Sequence, residues 1–190
     1  MNTAILANQI WQPTTSLFSI RNLVLAIIGS LIVAAAAQIN IPMVPVPMTL
    51  QTLAVLSIGA AFGARLGAAT LALYALEGAA GLPVFAQMKA GAGIIAGPSG
   101  GYIIGFILAA AVVGYLAEKG WSHNFVKMIA ASLLGAIVLY IPGLVWLHQF
   151  ANGWAQTFEW GITPFIYGDI LKAVIAALGF QGAWMGLAKK

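Results

Sequence analysis

Long apolar runs of membrane-spanning length leave this chain few folds. A helix needs about 20 apolar residues to cross the hydrocarbon core. Inside that core only helices and closed barrels satisfy their own backbone groups. Of the 190 residues, 62% are hydrophobic and 6% are charged, against about 25% charged in a soluble domain. Mean hydropathy is +0.98. So little charge cannot cover a globule in water, and the chain reads as an all-α integral membrane protein in the lipid bilayer.

Six helices are expected, at about 22–39, 49–62, 64–80, 98–118, 125–146 and 163–187. They form one membrane domain over 1–190, behind a lead-in of 1–20. Pro42, Pro45 and Pro47 cannot sit inside a helix and separate the first two spans. The stretch from Gly63 to Gly67 marks the next turn, and a glycine-rich segment fills 81–97. Pro98 suits a first helical turn, and Pro142 bends the fifth span. A polar, Trp-containing connection runs over 148–161. The alanines at 34–37 resemble a signal-peptide cleavage site, but the mostly polar lead-in brings only Arg21 as a basic residue. That is a poor n-region, so the lead-in is read as amphipathic or irregular. No internal repeat supports an inverted-repeat transporter.

Orientation follows from the basic residues. With both termini cytoplasmic, the inner segments hold Arg21, Arg65, Lys119, Lys127, Lys189 and Lys190, and the outer loops hold Lys89. That is a positive-inside distribution. The net charge of +4 includes no basic tract suited to nucleic acid. There is no cysteine, hence no thiol nucleophile or disulfide framework.

The run FIYGDILKAVIAALGF (165–180) carries Asp169 and Lys172 inside a span. If the helix starts at Thr163, Asp169 lies roughly 9 Å down it at 1.5 Å per residue, and a spacing of three puts both charges on one face. Intramembrane charges face a bundle interior or a cavity. Two readings stand: an internal ion pair, or a place where a polar solute binds. A buried pair is rarely a net stabiliser, which favours binding. Other polar groups fall at the same outer level: Gln38, Asn40, Thr49, Gln51, Glu77, Lys89, Ser99 and Tyr102. Together they predict a pocket open to the outside, although loop lining alone accounts for Gln38 or Asn40. In GPSGGY (97–102), Ser99 is placed to cap a helix whose free N–H groups suit a carboxylate. Gly100 and Gly101 admit a ligand or a packed helix with equal ease. The Walker A pattern is absent.

Four segments together carry a family resemblance. PMVPVPMTLQTLAVLSIGA (42–60), EGAAGLPVFA (77–86), AGPSGGYIIGF (96–106) and GDILKAVIAA (168–177) resemble the BioY family, the biotin-binding S-components of energy-coupling factor (ECF) transporters. The likeness runs from about Arg21 to the C-terminus. It departs at Ser99, where the family more often has Thr, and over QMKAGAG (87–93), where glycines and serine are usual. The resemblance implies a six-helix bundle in the bacterial cytoplasmic membrane. It would capture biotin, as transported ligand and not cofactor, and work with a membrane T-component and two cytoplasmic ATPases. Asp169 would then accept from the ureido N–H and Lys172 donate to the ureido oxygen. Thr49 and Gln51 would add bonds at the ring or mouth, and Tyr102 an apolar face. Ser99 with Gly100 and Gly101, or else Lys89, would receive the carboxylate, with Glu77 in the same outer cluster. On the first helix, Ala26, Ser30 and Ala34 recur every four residues. The family reading makes them a docking face for the T-component; packing within the bundle is the alternative.

An enzyme is not expected. Asp169, Glu77, His123 and His148 are the candidate catalytic groups, but His123 falls inside and His148 outside, and no H-E-x-x-H or nucleophile elbow is present. A self-sufficient, ion-coupled transporter with Asp169 as proton relay is the second reading. Topology is directly testable: single cysteines at Lys89 and at Lys189 should label from opposite sides of the membrane. Labelling from one side would overturn the span count.

Overall fold

The computed structural model describes residues 5–11 and 16–188; the rest of the lead-in and the pair Lys189 and Lys190 lie outside the described residues. Among the described residues of the lead-in, one short helix, α1 (Leu6–Ile10), packs on the helix Gln51–Phe62 and is tied to the start of α2 (Ile20–Gln38). Arg21 makes this tie, donating to the Ala7 carbonyl and to Asn8 Oδ1, each at 2.9 Å. Ser19 opens α2 by accepting the Asn22 N–H at 3.3 Å, the usual way a first-turn donor is satisfied.

A short antiparallel hairpin, β1 (Asn40–Ile41) with β2 (Met48–Thr49), pairs Asn40 with Thr49. The proline cluster forms its loop. Next come α3 (Gln51–Phe62) and α4 (Ala64–Ala79), joined at Gly63, whose φ of 83° suits only glycine. The glycine-rich segment holds a short helix, α5 (Ala92–Ala96). Then follow α6 (Gly100–Glu118), α7 (Phe125–Leu147), α8 (Trp154–Gly161) and α9 (Ile166–Ala188). Asn124 caps α7 through the Lys127 N–H at 3.0 Å.

Among the described residues, four helices are long and apolar enough to cross a membrane: α2, α6, α7 with the turn after it, and α9. With 12 and 16 residues, α3 and α4 reach about 18 and 24 Å, short of a core about 30 Å thick.

Three boundaries differ from expectation. The last helix begins at Ile166, not Thr163. Pro164 disfavours helical backbone at the residue before it, and the Thr163 hydroxyl instead donates to the Phe158 carbonyl at the end of α8 (3.0 Å). Asp169 therefore sits in the first turn of α9, nearer the helix end than expected. Thr49 belongs to β2, so α3 starts at Gln51. Pro98 lies in a turn closed by the Gly100 N–H on the Gly97 carbonyl (3.0 Å), which delays α6 to Gly100.

The core is built around α6, which packs on α3, α4 and α7. Many of its buried positions are small: Gly105, Ala109, Ala110, Gly114 and Ala117. Small residues let helix backbones approach closely where lipid gives no hydrophobic drive between helices. A Cβ on Gly59 of α3 would stand 2.6 Å from the Ala110 carbonyl oxygen, and one on Gly105 would stand 2.6 Å from that of Leu139. Large apolar side chains face outward instead, including Ile27, Leu31, Ile141, Val145, Leu171 and Leu178. That pattern fits lipid as the surrounding solvent.

Candidate functional site

A cavity of about 540 Å³ opens at one end of the bundle. Its walls come from the proline loop of the hairpin, the starts of α3 and α6, Tyr74 of α4, the 85–89 turn, Leu139 and Tyr140 of α7, and Phe165, Asp169 and Lys172. The walls are mostly apolar, with the polar groups concentrated in a few places, as in most small-molecule sites.

The principal polar group is a quartet. Lys172 Nζ donates to Asp169 Oδ1 at 3.2 Å and to Thr52 Oγ1 at 2.7 Å. The Thr52 hydroxyl donates to the same Asp169 oxygen at 3.3 Å. Tyr140 Oη donates to Asp169 Oδ2. Asp169 and Lys172 are both buried and make the ion pair expected from their spacing, the one found among the described residues. Both line the cavity. Three helices, α3, α7 and α9, each supply part of this group, so its geometry depends on their packing. Thr52 and Tyr140 were not singled out from the sequence. A threonine beside Gln51 carries no signal of its own. Tyr140, deep in an apolar helix, did carry one, because a buried tyrosine hydroxyl needs a partner.

The other expected site residues divide. Thr49, Gln51, Lys89, Ser99 and Tyr102 all line the cavity. The Gln51 amide is partly engaged, accepting from Thr49 Oγ1 (3.1 Å) and donating to Tyr74 Oη (2.7 Å), which donates on to the Val84 carbonyl (3.0 Å). Tyr102 gives its hydroxyl to the Gly161 carbonyl at 2.8 Å, so it offers the cavity its ring. Lys89 is exposed at the rim. Ser99 lies at the start of α6, but its side chain caps no N–H group there.

Three expectations are corrected. Gly100 and Gly101 do not line the cavity. A Cβ on Gly100 would collide with the Ile95 carbonyl oxygen, and one on Gly101 with that of Pro142. These glycines seat α6 against α5 and α7. Glu77 also lies away from the cavity, on α4, where Ser30 of α2 donates to its Oε1 at 3.1 Å. On α2, Ser30 is fully buried and Ala26 nearly so, with Ala34 half-buried. That row of small residues faces the bundle, and α2 packs on α4 and α3. It is used for internal packing and is not open to a partner. As their separation in the sequence leads one to expect, His123 and His148 stand at opposite ends of α7, each stacked on a tryptophan, Trp184 and Trp154 respectively. They share no site.

An outward-apolar bundle with a concave pocket, an intramembrane ion pair in the pocket wall and no cluster of catalytic histidines is a membrane protein organised to bind a small solute. The BioY family profile matches residues 9–189, and the chain belongs to that family. It is 39% identical over 158 residues to the biotin transporter BioY of Thermotoga maritima, covering 83% of this chain and 92% of that protein. It is 38% identical over 179 residues to the biotin transporter BioY of Rhizobium etli, covering 88% and 95%. The fold matches the crystal structure of the S-component for biotin from an ECF-type ABC transporter, with a TM-score of 0.78 over 94% of this chain and 96% of that one, at 24% identity. With four membrane-length helices among the described residues and membership of this family, the chain is a multi-pass protein of the cell membrane.

The quartet makes a stability prediction. Asp169→Asn leaves Lys172 buried without its counter-charge, and breaking a buried pair from one side costs about 3–5 kcal/mol. The double change Asp169→Asn with Lys172→Met removes both charges and should recover most of the lost thermal stability in detergent. A double variant as unstable as the single one would show that the charges are not coupled.

Proposed function

We propose that this chain is a biotin-uptake protein that binds biotin in the cavity from outside and passes it inward with an ATP-driven partner. The observation that carries this reading is what the quartet leaves unused. A carboxylate has about four acceptor sites and an ammonium three N–H donors. Three donors already reach Asp169, and two Lys172 N–H groups are taken. What remains is one acceptor position beside one donor. A cyclic urea presents the complement, an N–H next to a carbonyl. Biotin adds an apolar ring and chain, which Phe106, Ile103 and Phe165 would flank, and a carboxylate for which Lys89 is the available cation at the rim. Thr49 and Gln51 hold the hairpin end of the pocket in place, and Tyr102 and Ser99 complete the wall by α6.

The relatives are named biotin transporters, which supports a transport protein and not an enzyme. Outward opening is supported by charge placement. Ala64 donates its N–H to Glu118 Oε1 at 2.9 Å, so the Arg65 turn and the Lys119 end of α6 share one side of the bundle. Lys89 and the cavity lie at the other. By the positive-inside rule the first side is cytoplasmic. We read α2, α3, α4, α6, α7 and α9 as six spans of one membrane domain with both termini inside, α3 and α4 being short. The chain carries no nucleotide-binding motif, so energy has to come from elsewhere. A T-component with two cytoplasmic ATPases supplies it in this reading. The ion-coupled alternative is disfavoured because Asp169 is already committed to three donors.

Calorimetry of the detergent-purified protein with biotin tests this reading. Saturable binding is expected. Asp169→Asn should weaken it by a few kcal/mol, since each lost hydrogen bond to a charged group costs about 1.5–3 kcal/mol. No heat and no rise in melting temperature with biotin would overturn it.

A further inference from the structure

The 85–89 turn is the one segment of the cavity wall held in an unfavourable backbone shape. Gln87 and Met88 have φ of 61° and 56°, and neither is glycine. Left-handed backbone is costly for side chains with a Cβ, and two in succession persist only where surrounding contacts hold them. The turn's own bonds are few. The Phe85 N–H donates to the Lys89 carbonyl at 3.1 Å, and the Lys89 N–H reaches the Ala86 carbonyl at 3.4 Å.

Further support comes from the end of α2. Gln38 Nε2 donates to the Phe85 carbonyl at 3.1 Å, and Gln38 Oε1 accepts the Met88 N–H at 3.0 Å. The same nitrogen also donates to the Ala34 carbonyl at 3.2 Å, which fixes the side chain to its own helix. One carboxamide thus spans the turn on both sides, accepting from the second strained residue. The turn it holds presents Phe85, Gln87 and Lys89 to the cavity. Phe85 is buried, edge-on to Tyr74 with ring centroids 5.6 Å apart.

We propose that Gln38 is a positioning residue for ligand retention: its carboxamide keeps the 85–89 turn in its left-handed shape, so that Phe85 and Lys89 stay against the bound molecule. The proposal takes its ligand from the biotin reading above; its geometry is independent of that reading. Gln38 does not touch the cavity. Its effect therefore falls on how fast ligand leaves.

The test uses three variants of the full chain in detergent, with biotin as probe and two readouts. Gln38→Met keeps the length and removes both polar functions. It should speed biotin dissociation about tenfold or more, leave association nearly unchanged, and speed hydrogen exchange at the Met88 amide. Gln38→Glu keeps the acceptor for Met88 and loses the donor to Phe85, so it should fall between wild type and Gln38→Met. It also carries the test if Gln38→Met does not fold. Adding Gln87→Gly and Met88→Gly to Gln38→Met should recover part of the retention, because glycine adopts this backbone without steric cost. A residue that merely packs would show neither the graded order nor the rescue. Wild-type dissociation in both single variants overturns the proposal. Absence of biotin binding by the wild-type chain overturns the biotin reading instead, and Met88 exchange in Gln38→Met then decides whether the clamp exists.

Discussion

A carboxylate and an ammonium buried at the end of a membrane helix set the terms for the rest of this structure. Each charge alone would be expensive in a low-dielectric interior, and their mutual attraction offsets that cost only if the remaining hydrogen-bonding sites are filled. Thr52 and Tyr140 fill most of them. Both charged residues line the cavity, so the one acceptor and one donor left over are what the proposed reading offers to a ligand. A fully satisfied quartet would be a structural rivet.

Holding four side chains from three helices in register requires helices that do not slide. The central α6 provides this by being thin: Gly105, Ala109, Ala110 and Gly114 bring its backbone against α3, α4 and α7. Gly100 and Gly101 continue the same role at the cavity end, which is why they pack against carbonyls instead of meeting ligand. The cavity sits where the first turns of α6 meet loops and short elements, the hairpin loop and the 85–89 turn among them. Those elements are tied back by long-range bonds such as Gln51 to Tyr74 (2.7 Å) and Gln38 to Phe85 (3.1 Å).

The parts of this arrangement legible in the sequence are those that carry a cost. Asp169 and Lys172 stood out because charge in an apolar run demands a reason, and they form the expected pair. The long apolar helices were readable for the same kind of reason. Thr52 was not, since a hydroxyl in a membrane helix is cheap and its partners lie over a hundred residues away in sequence. The row Ala26, Ser30 and Ala34 announced close helix approach but not which helix approaches; in the fold α4 does, and Ser30 meets Glu77. Glu77 has the right height along its helix and the wrong face for the cavity. The last helix starts later than its apolar pattern indicates because Pro164 disfavours helical backbone at Thr163, whose hydroxyl closes α8 instead.

In the proposed mode of binding, Lys172 requires an acceptor and Asp169 a donor from the same ring. An analogue of biotin in which a guanidino group replaces the ureido group keeps the shape and the N–H groups but puts a positively charged donor where the carbonyl stood. Competition between the two ligands for the purified protein at neutral pH measures the requirement directly. Placing like charge against Lys172 and losing its hydrogen bond should weaken binding by at least about 100-fold relative to biotin. Equal affinity for the two ligands would contradict the account, because the quartet would then not be reading the ring.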